Sequence, residues 1–241
     1  MAFPAPVLLY ESGPCYAVHK PAGIATQAPP GIDSMEARMK DWLRVREHKS
    51  GNVYLGVPHR LDRPVSGVLL FARHVRAARR LADQFQRRSI RKTYWALVAG
   101  RVVPEHDTWT DWLRKVPDEP RGEVVPPQTA DAKQAILHYH VVTQYEEFAW
   151  IEVTLETGRM HQIRVQAAQR GHAVLGDLLY GSNLPFGPPT DDSRAAPIAL
   201  HARRLEFAHP MSGEPVTVTS PVPDPWPVAI AATDTARDQS R

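Results

Sequence analysis

The stretch His59–Ala72 reads HRLDRPVSGVLLFA and joins a charged loop directly to a wholly apolar run. The run Gly67–Ala72 predicts a short buried strand. An Asp between Arg60 and Arg63 is unusual there, because loops held by a rigid strand are common positions for catalytic groups. The two guanidinium groups favour an ionised carboxylate on Asp62, and an ionised carboxylate is a competent nucleophile. The alternative is an Asp that only forms a salt bridge with one of the two arginines.

Outward from this stretch, the spacing of apolar residues predicts many strands and few helices. The predicted strands are Val7–Tyr10, Tyr16–His19, Thr93–Val98, Ile136–Gln144, Trp150–Leu155, Leu205–Ala208 and Val216–Thr219. The predicted helices run from the cap Ser34 to about Glu47, over His74–Arg88, and over Met160–Arg170 with Gly171 ending it. The predicted loops are Pro21–Pro30 and Leu184–Pro197, and Val116–Thr129 is predicted as a loop or a hairpin tip. Strands joined mostly as hairpins favour an α+β fold around a mixed sheet. We expect one domain over residues 1–225 and a loose tail over residues 226–241.

Length and composition are those of a globular protein of the cytoplasm. The chain has 241 residues, 43% of them hydrophobic, and its single cysteine, Cys15, excludes an internal disulfide. The N-terminus MAFPAPVLLYESGP lacks the basic start and apolar run of a signal peptide. No stretch approaches the roughly 18 apolar residues needed to cross a bilayer. We therefore expect a cytoplasmic location and no membrane association.

Positive charge is concentrated in one part of the chain. The totals are 29 Lys and Arg against 26 Asp and Glu, a net charge of only +3. Between Arg73 and Lys92, however, eight basic residues accompany a single acid, Asp83. On the predicted helix the polar face carries Arg76, Arg80, Gln84 and Arg87. Such a face suits a partner with a phosphate backbone, and it equally suits a helix face that is merely solvated.

Six segments follow one another along the chain. They are VLLYESGPCYAVHKPAG from Val7, HRLDRPVSGVLLFAR from His59, RKTYWALV from Arg91, TGRMHQIRV from Thr157, GHAVLGDLLYG from Gly171 and LHARRLEFAHP from Leu200. In this order they resemble the RluA-type pseudouridine synthases from about Val7 to Val218, nearly the whole chain. The resemblance implies the pseudouridine synthase fold, a mixed and mostly antiparallel sheet with flanking helices and loops around a catalytic cleft. It also implies an RNA-modifying isomerase that converts uridine to pseudouridine in ribosomal or transfer RNA.

The resemblance implies three catalytic residues. Asp62 matches the family's nucleophile, Tyr94 matches the tyrosine that stacks on the uracil ring, and Arg164 matches the arginine that pairs with the catalytic carboxylate. Each has a plainer interpretation when taken alone. Tyr94 could be a core residue of its strand, and Arg164 could be an exposed charge on its helix. Their occurrence together in family order favours the functional interpretation.

Three further residues are predicted to bind substrate. Arg60 matches an arginine thought to help displace the target base, and Arg63 and His161 lie beside the catalytic residues in their motifs. The resemblance implies no metal and no cofactor. His138 and His140 could share a strand face, but no Cys or acid partner stands at ligand spacing, so a metal site there is not expected.

The chain departs from the family pattern at several positions. Pro64 and Val65 stand where the family usually has Asp and Thr, directly after the second arginine of the catalytic segment. Because proline lacks a backbone N–H donor, the resemblance does not predict the shape of this loop. Met160 stands for the usual Thr or Lys, and Ala173 stands for a common proline. Only six residues precede the first matched strand. We therefore expect that the small RNA-binding domain of many relatives is absent and that the catalytic domain alone binds RNA.

Three functions are compatible with these motifs. The first is a pseudouridine synthase, expected to act as a monomer without an obligate protein partner. The second is an RNA-binding module that has lost its chemistry, which the retention of Asp62, Tyr94 and Arg164 disfavours. The third is a nucleoside or glycoside hydrolase that uses Asp62 and would release uracil.

Overall fold

The computed structural model describes residues 3–192, 194–227 and 230, and within them a ten-stranded sheet carries three α-helices. The strands are β1 Val7–Ser12, β2 Cys15–Lys20, β3 Ser66–Ala72, β4 Arg91–Ala99, β5 His106–Lys115, β6 Gly122–Val124, β7 Lys133–Gln144, β8 Phe148–Leu155, β9 Leu200–Ala208 and β10 Pro215–Thr219. The helices are α1 Met35–Arg46, α2 Val75–Gln86 and α3 Gln162–Gln169, and a 3-10 turn spans Leu178–Tyr180.

The sheet is mixed and mostly antiparallel. Its order is β1-β2-β3-β9-β4-β8-β7-β5-β6, with β10 paired to β9, and β3 with β9 is the parallel pair among the described strands. This confirms the predicted α+β fold class. The parallel pair depends on Gly67, whose φ is 126° and whose Cβ, if present, would lie 2.3 Å from the Ala202 carbonyl oxygen. Only glycine allows β9 to approach β3 so closely at this point.

The two long helices cover opposite faces of β3. Alternate side chains of a strand point to opposite faces, so Val68 and Leu70 pack with α2 while Leu69 and Phe71 pack with α1. As predicted, Ser34 caps α1 by accepting a hydrogen bond from the Ala37 amide at 3.2 Å. This arrangement positions the loop between α1 and β3, because the loop joins two elements that are both packed in the core.

Several elements differ from those predicted. Strand β5 was not predicted, because its buried side chains Trp109 and Leu113 are four residues apart, a spacing as typical of a helix as of a strand. Strand β6 lies inside the predicted loop Val116–Thr129 and pairs with β5. Strand β9 begins at Leu200 rather than Leu205, since it buries polar residues in its first half. Helix α3 begins two residues late because His161 adopts a left-handed conformation, with φ 51°.

The ordered chain extends beyond the predicted boundary at residue 225. Trp226 is buried, with its ring centroid 5.9 Å from that of Phe186 and 6.1 Å from that of His201. Trp226 thus packs into the described fold, one residue past the boundary at which the predicted tail begins. Residues 228–229 and 231–241 lie outside the described residues. In the described part of the chain, no helix combines the length and apolar character needed to cross a membrane.

Candidate active site

A cleft of about 810 Å³ opens where the loop before β3, the end of α2, strand β4 and the start of α3 meet. All six residues singled out from the sequence line it, namely Arg60, Asp62, Arg63, Tyr94, His161 and Arg164. They come from three segments that are far apart in the chain. The fold thus brings the predicted site residues together in one place.

The loop that carries Asp62 is held on both sides. The Thr26 hydroxyl donates to the Leu61 carbonyl at 2.9 Å and accepts from the Leu61 amide at 3.1 Å. Next to it, the Val65 amide donates to the Asp62 carbonyl at 3.1 Å and closes a turn. This turn needs no donor from Pro64, so the proline is accommodated at no cost in hydrogen bonds. The Asp62 side chain, 33% exposed, faces the cleft.

Lys20 also stabilises the loop that carries Asp62. Its side chain is fully buried, and its ammonium group donates to the carbonyls of Pro21, Ile24 and Arg63 at 3.0, 2.7 and 3.1 Å. Burial lowers the pKa of Lys20 to about 7, while the Asp62 charge acts in the opposite direction. Lys20 therefore joins the two loops that flank the cleft and places a basic group close to Asp62.

Arg164 lies between two carboxylates. Its Nε and Nη2 donate to both oxygens of Asp177 at 2.6 and 2.8 Å, and its Nη1 donates to Asp62 Oδ2 at 3.3 Å. The side chains of Arg164 and Asp177 are 5% and 1% exposed, whereas Asp62 is accessible. Arg164 is thus not an exposed helix charge. The bidentate pair fixes the guanidinium in orientation, and its remaining edge is presented to Asp62.

His161 approaches Asp62 from the other side. Its Nε2 lies 3.6 Å from Asp62 Oδ2, too far for a hydrogen bond, and its Nδ1 lies 2.8 Å from the Tyr180 hydroxyl. That hydroxyl accepts from the Gly122 amide at 2.8 Å, so its own proton is available to His161 Nδ1. Burial lowers the pKa of His161, and a neutral ring in this setting carries its proton on Nε2, facing the carboxylate.

Tyr180 is shared by His161 and Arg164. Besides its hydrogen bond to the histidine, its ring lies under the Arg164 guanidinium, with 5.0 Å between the Cζ atom and the ring centroid. Burial raises the pKa of Tyr180 to about 12, so its hydroxyl keeps its proton. One side chain therefore orients both groups that face Asp62.

Tyr94 lines the cleft from β4 and is half-buried between two apolar clusters. Its burial raises its pKa, and the Asp62 charge raises it further. The phenol therefore stays neutral beside the carboxylate. The cleft therefore contains a neutral aromatic ring, held on a strand next to Asp62.

The two arginines that flank Asp62 differ in their surroundings. Arg60 is exposed at the cleft. Arg63 is engaged with other loops, because its Nε donates to the Gly23 carbonyl at 2.8 Å and its Nη2 lies 2.9 Å from Asp192 Oδ2. Of the two, Arg60 is better placed to meet a substrate, since Arg63 must first break these interactions.

The loop between β8 and α3 is fixed by its own side chains. Gln162 Oε1 accepts from the Thr157 hydroxyl at 2.7 Å and from the Arg159 amide at 3.0 Å, and Gln162 Nε2 donates to the Ile136 carbonyl at 3.1 Å. Thr157 and Gln162 are both buried. This loop therefore presents Arg159 and His161 to the cleft from a rigid base.

The basic cluster over residues 73–92 does not form one surface. Arg73 pairs with both carboxylate oxygens of Glu47 at 2.9 and 2.6 Å, and Arg80 donates to the Pro210 carbonyl at 2.8 Å. Arg88 and Lys92, in contrast, line the cleft together with Phe85 at the C-terminal end of α2. The cluster thus divides among side chains that support the fold, charges at the cleft, and exposed arginines such as Arg76 and Arg79 that lie outside the cleft.

Sequence reasoning assigned no role to Lys20, Asp177 or Tyr180. All three lie in quoted motifs, the first in HKPAG and the other two in GDLLYG. The signal that could have identified them is that each is a charged or hydroxyl-bearing residue inside a motif. Their roles depend on burial and on long-range interactions, which no spacing along the chain reveals.

A family model described as RNA pseudouridylate synthase matches residues 15–169. Two human structures share the fold: RNA Pseudouridylate Synthase Domain Containing 4 has a TM-score of 0.73 at 19% identity, covering 97% of this chain and 93% of that one. RNA Pseudouridylate Synthase Domain Containing 1 has a TM-score of 0.70 at 24% identity, covering 94% and 86%. These matches confirm the family resemblance and the fold that the sequence motifs predict.

Curated bacterial relatives match most of the chain. A protein of Xanthomonas campestris named ribosomal large subunit pseudouridine synthase D is 34% identical over 90% of this chain and 66% of its own length. A protein of the same name from Xylella fastidiosa is 33% identical over 93% and 68%. An uncharacterized RNA pseudouridine synthase of Chloroflexus aurantiacus is 38% identical over 85% and 62%. The chain thus spans about two thirds of the length of these relatives.

Proposed function

Because the chain belongs to the RNA pseudouridylate synthase family, we propose that it isomerises uridine to pseudouridine in RNA, with Asp62 as its nucleophile. The observation that supports this most directly is the ion-pair arrangement in the cleft. Arg164 is buried and already neutralised by Asp177, yet it presents one more N–H to the accessible Asp62. A carboxylate that is paired but still exposed is suited to attack a substrate.

The reaction requires one carboxylate and no external reactant. The bond between ribose carbon 1 and uracil nitrogen 1 breaks, the ring rotates, and a new bond forms from carbon 5 to the ribose. Carbon 5 loses a proton and nitrogen 1 gains one, so atoms and electrons balance. Asp62 attacks the ribose or carbon 6 of the ring, or it removes a ribose proton. Glycoside hydrolysis normally uses two carboxylates because water must be added.

The target base must leave its stack before Asp62 can reach it. We assign this step to Arg60, which is exposed at the cleft and could occupy the place of the displaced base. Tyr94 then holds the ring by stacking, an interaction worth roughly 1–3 kcal/mol per base. Arg164 and the Nε2 proton of His161 keep the Asp62 charge compensated while the base is bound.

We propose ribosomal RNA as the substrate, with transfer RNA as the second candidate. The names of the Xanthomonas and Xylella relatives support the first choice. We further propose a cytoplasmic monomer without an obligate protein partner and without a metal or cofactor. The rearrangement involves no net redox change, which supports a reaction without a redox cofactor.

The variant Asp62→Asn tests the nucleophile. It removes the charge but keeps size and hydrogen-bonding groups, so we expect pseudouridine formation to be abolished while RNA binding survives. Asp83→Asn is the matched control, since Asp83 is exposed on α2 and does not line the cleft. Turnover by Asp62→Asn above a small fraction of the wild-type rate would refute this assignment.

The reaction and its target are tested separately. Pseudouridine mapping of ribosomal and transfer RNA from cells with and without the gene identifies the modified uridine. Chromatography of the purified enzyme's reaction mixture tests for free uracil. A missing pseudouridine in the deletion strain supports the synthase, whereas released uracil without pseudouridine would identify a hydrolase that uses Asp62.

A further inference from the structure

Three basic side chains of the cleft lie close enough to influence one another electrostatically. Arg88 follows α2, Lys92 lies on β4 and Arg159 lies in the loop between β8 and α3. All three line the same cleft as Asp62. We call them the Lys92 triad. Three separate segments of the fold thus direct positive charge to one place.

The triad has little compensating negative charge of its own. Within the described part of the chain, Glu156 is the one acid paired with any member, at 3.7 Å from Arg88, and both side chains are nearly half exposed. A pair of this length and exposure contributes little. The nearest acceptor of Lys92 is the Thr157 carbonyl at 3.5 Å, and Arg159 donates through its Nε to the Gln134 carbonyl at 2.9 Å. The triad therefore retains donors that point into the cleft.

The members of the triad repel one another. Burial and the charges of Arg88 and Arg159 lower the pKa of Lys92 to about 8. Burial and the charge of Arg88 likewise lower the pKa of Arg159. Like charges held together in a half-buried site are unfavourable unless an anion joins them. The loop that carries Arg159 also passes close to Lys92, since a Cβ atom built on Gly158 would lie 3.6 Å from the ammonium nitrogen.

We propose that Arg88, Lys92 and Arg159 together bind one backbone phosphate of the RNA substrate, next to the uridine that reaches Asp62. This rests on the proposed function for the identity of the substrate. Lys92 and Tyr94 are two residues apart on β4 and line the same cleft, so a base stacked on Tyr94 has a nearby phosphate within reach of the triad. A phosphate carries several acceptor oxygens and suits three converging donors. Such an interaction holds the RNA strand in place and reads no base.

Salt-dependent binding of a fluorescein-labelled decauridylate tests the site without requiring turnover. Removing the interaction with one phosphate of a single strand lowers the slope of log K against log salt by about 0.7. We expect this reduction of about 0.7 for the triple variant Arg88→Gln, Lys92→Gln, Arg159→Gln, because the three side chains share one phosphate. Binding of three separate phosphates would instead give a reduction of about 2. Lys92→Gln alone should weaken binding about tenfold, and adding Arg159→Gln should cost less than the sum of the single changes.

Two controls separate binding from folding and from general charge. Arg76→Gln with Arg79→Gln changes two exposed arginines of α2 that do not line the cleft, and it should leave the slope unchanged. Lys92→Arg keeps the charge and should keep the slope. Thermal melts of every variant show whether the fold is intact.

A pH series supplies a second measurement. Above pH 8 the free wild-type protein loses the Lys92 proton, so decauridylate affinity should fall as the pH rises from about 7 to 9. In Lys92→Arg the guanidinium stays charged, so the part of this fall that Lys92 causes should be absent. Lys20, whose pKa is lowered to about 7, titrates in both proteins, so the difference between the two profiles reports Lys92 alone. A merely structural role of Lys92 predicts the same pH profile for both proteins.

The outcomes distinguish the site from the activity. A wild-type salt slope in the folded triple variant, or a reduction of about 2, would overturn the single-phosphate site even if the protein makes pseudouridine. A reduction of about 0.7 supports the site even if pseudouridine mapping refutes the activity.

Discussion

Replacing Asp177 by Asn should destabilise the protein far more than a usual single substitution. Asp177 holds Arg164 through two hydrogen bonds at 2.6 and 2.8 Å, and both side chains are buried. Asn preserves the volume, so no cavity forms, but the negative charge is removed. Arg164 then has Asp62, at 3.3 Å, as its remaining carboxylate partner, and the new amide offers it one neutral oxygen in place of a charged carboxylate. The fold would have to bury a cation that is poorly compensated.

The expected destabilisation follows from the burial of this pair. Removing one partner of a buried ion pair costs about 3–5 kcal/mol. The remaining interaction with Asp62 offsets part of this, so we expect about 3 kcal/mol. For a protein of this size, that change lowers the melting temperature by about 10 °C. Arg164→Met combined with Asp177→Asn removes both charges and should be more stable than Asp177→Asn alone.

Urea denaturation followed by circular dichroism measures the destabilisation. Asp41→Asn is the matched control, because Asp41 pairs with Arg44 at 2.5 Å on the surface of α1, with both side chains more than 30% exposed. Such exposed pairs contribute at most about 1 kcal/mol. A destabilisation by Asp177→Asn no larger than that of the control would refute the view that Asp177 neutralises Arg164 in the core.

Three other predictions follow from the site and its surroundings. Tyr180→Phe keeps the ring under Arg164 but removes the hydroxyl proton that is donated to His161, so we expect the rate of single-turnover pseudouridine formation to fall about tenfold. An unchanged rate would show that the hydroxyl has no part in orienting the histidine. Exhaustive chelation and dialysis should leave full activity, since the rearrangement needs no redox group, and activity that disappears and returns with added zinc would contradict a metal-free reaction. Trp226→Ala should lower the free energy of unfolding, measured by urea denaturation, by about 3–5 kcal/mol, because the indole is buried against Phe186. A decrease below about 1 kcal/mol would show that Trp226 does not pack into the fold.

The sequence by itself determined the family, the fold class and which residues meet in the cleft. Strand β3 and helix α2 were predictable because their apolar spacing is strong and local. Asp62, Tyr94 and Arg164 were predictable because motif order carries information about a site even when the distances are unknown. The same reasoning failed at β5, where polar residues alternate with two tryptophans and a leucine without a clear period.

Only the tertiary structure decided how the charges of the site are balanced. Arg164 and Asp62 are 102 residues apart, and although Asp177 lies in a quoted motif, its burial against Arg164 is visible only in the structure. The basic run from Arg73 to Lys92 likewise separates into an arginine bound to Glu47 and charges that line the cleft. The physical reason is common to these cases: the energy of a charge depends on its burial and on its partners in space, and both are set by the packing of distant segments.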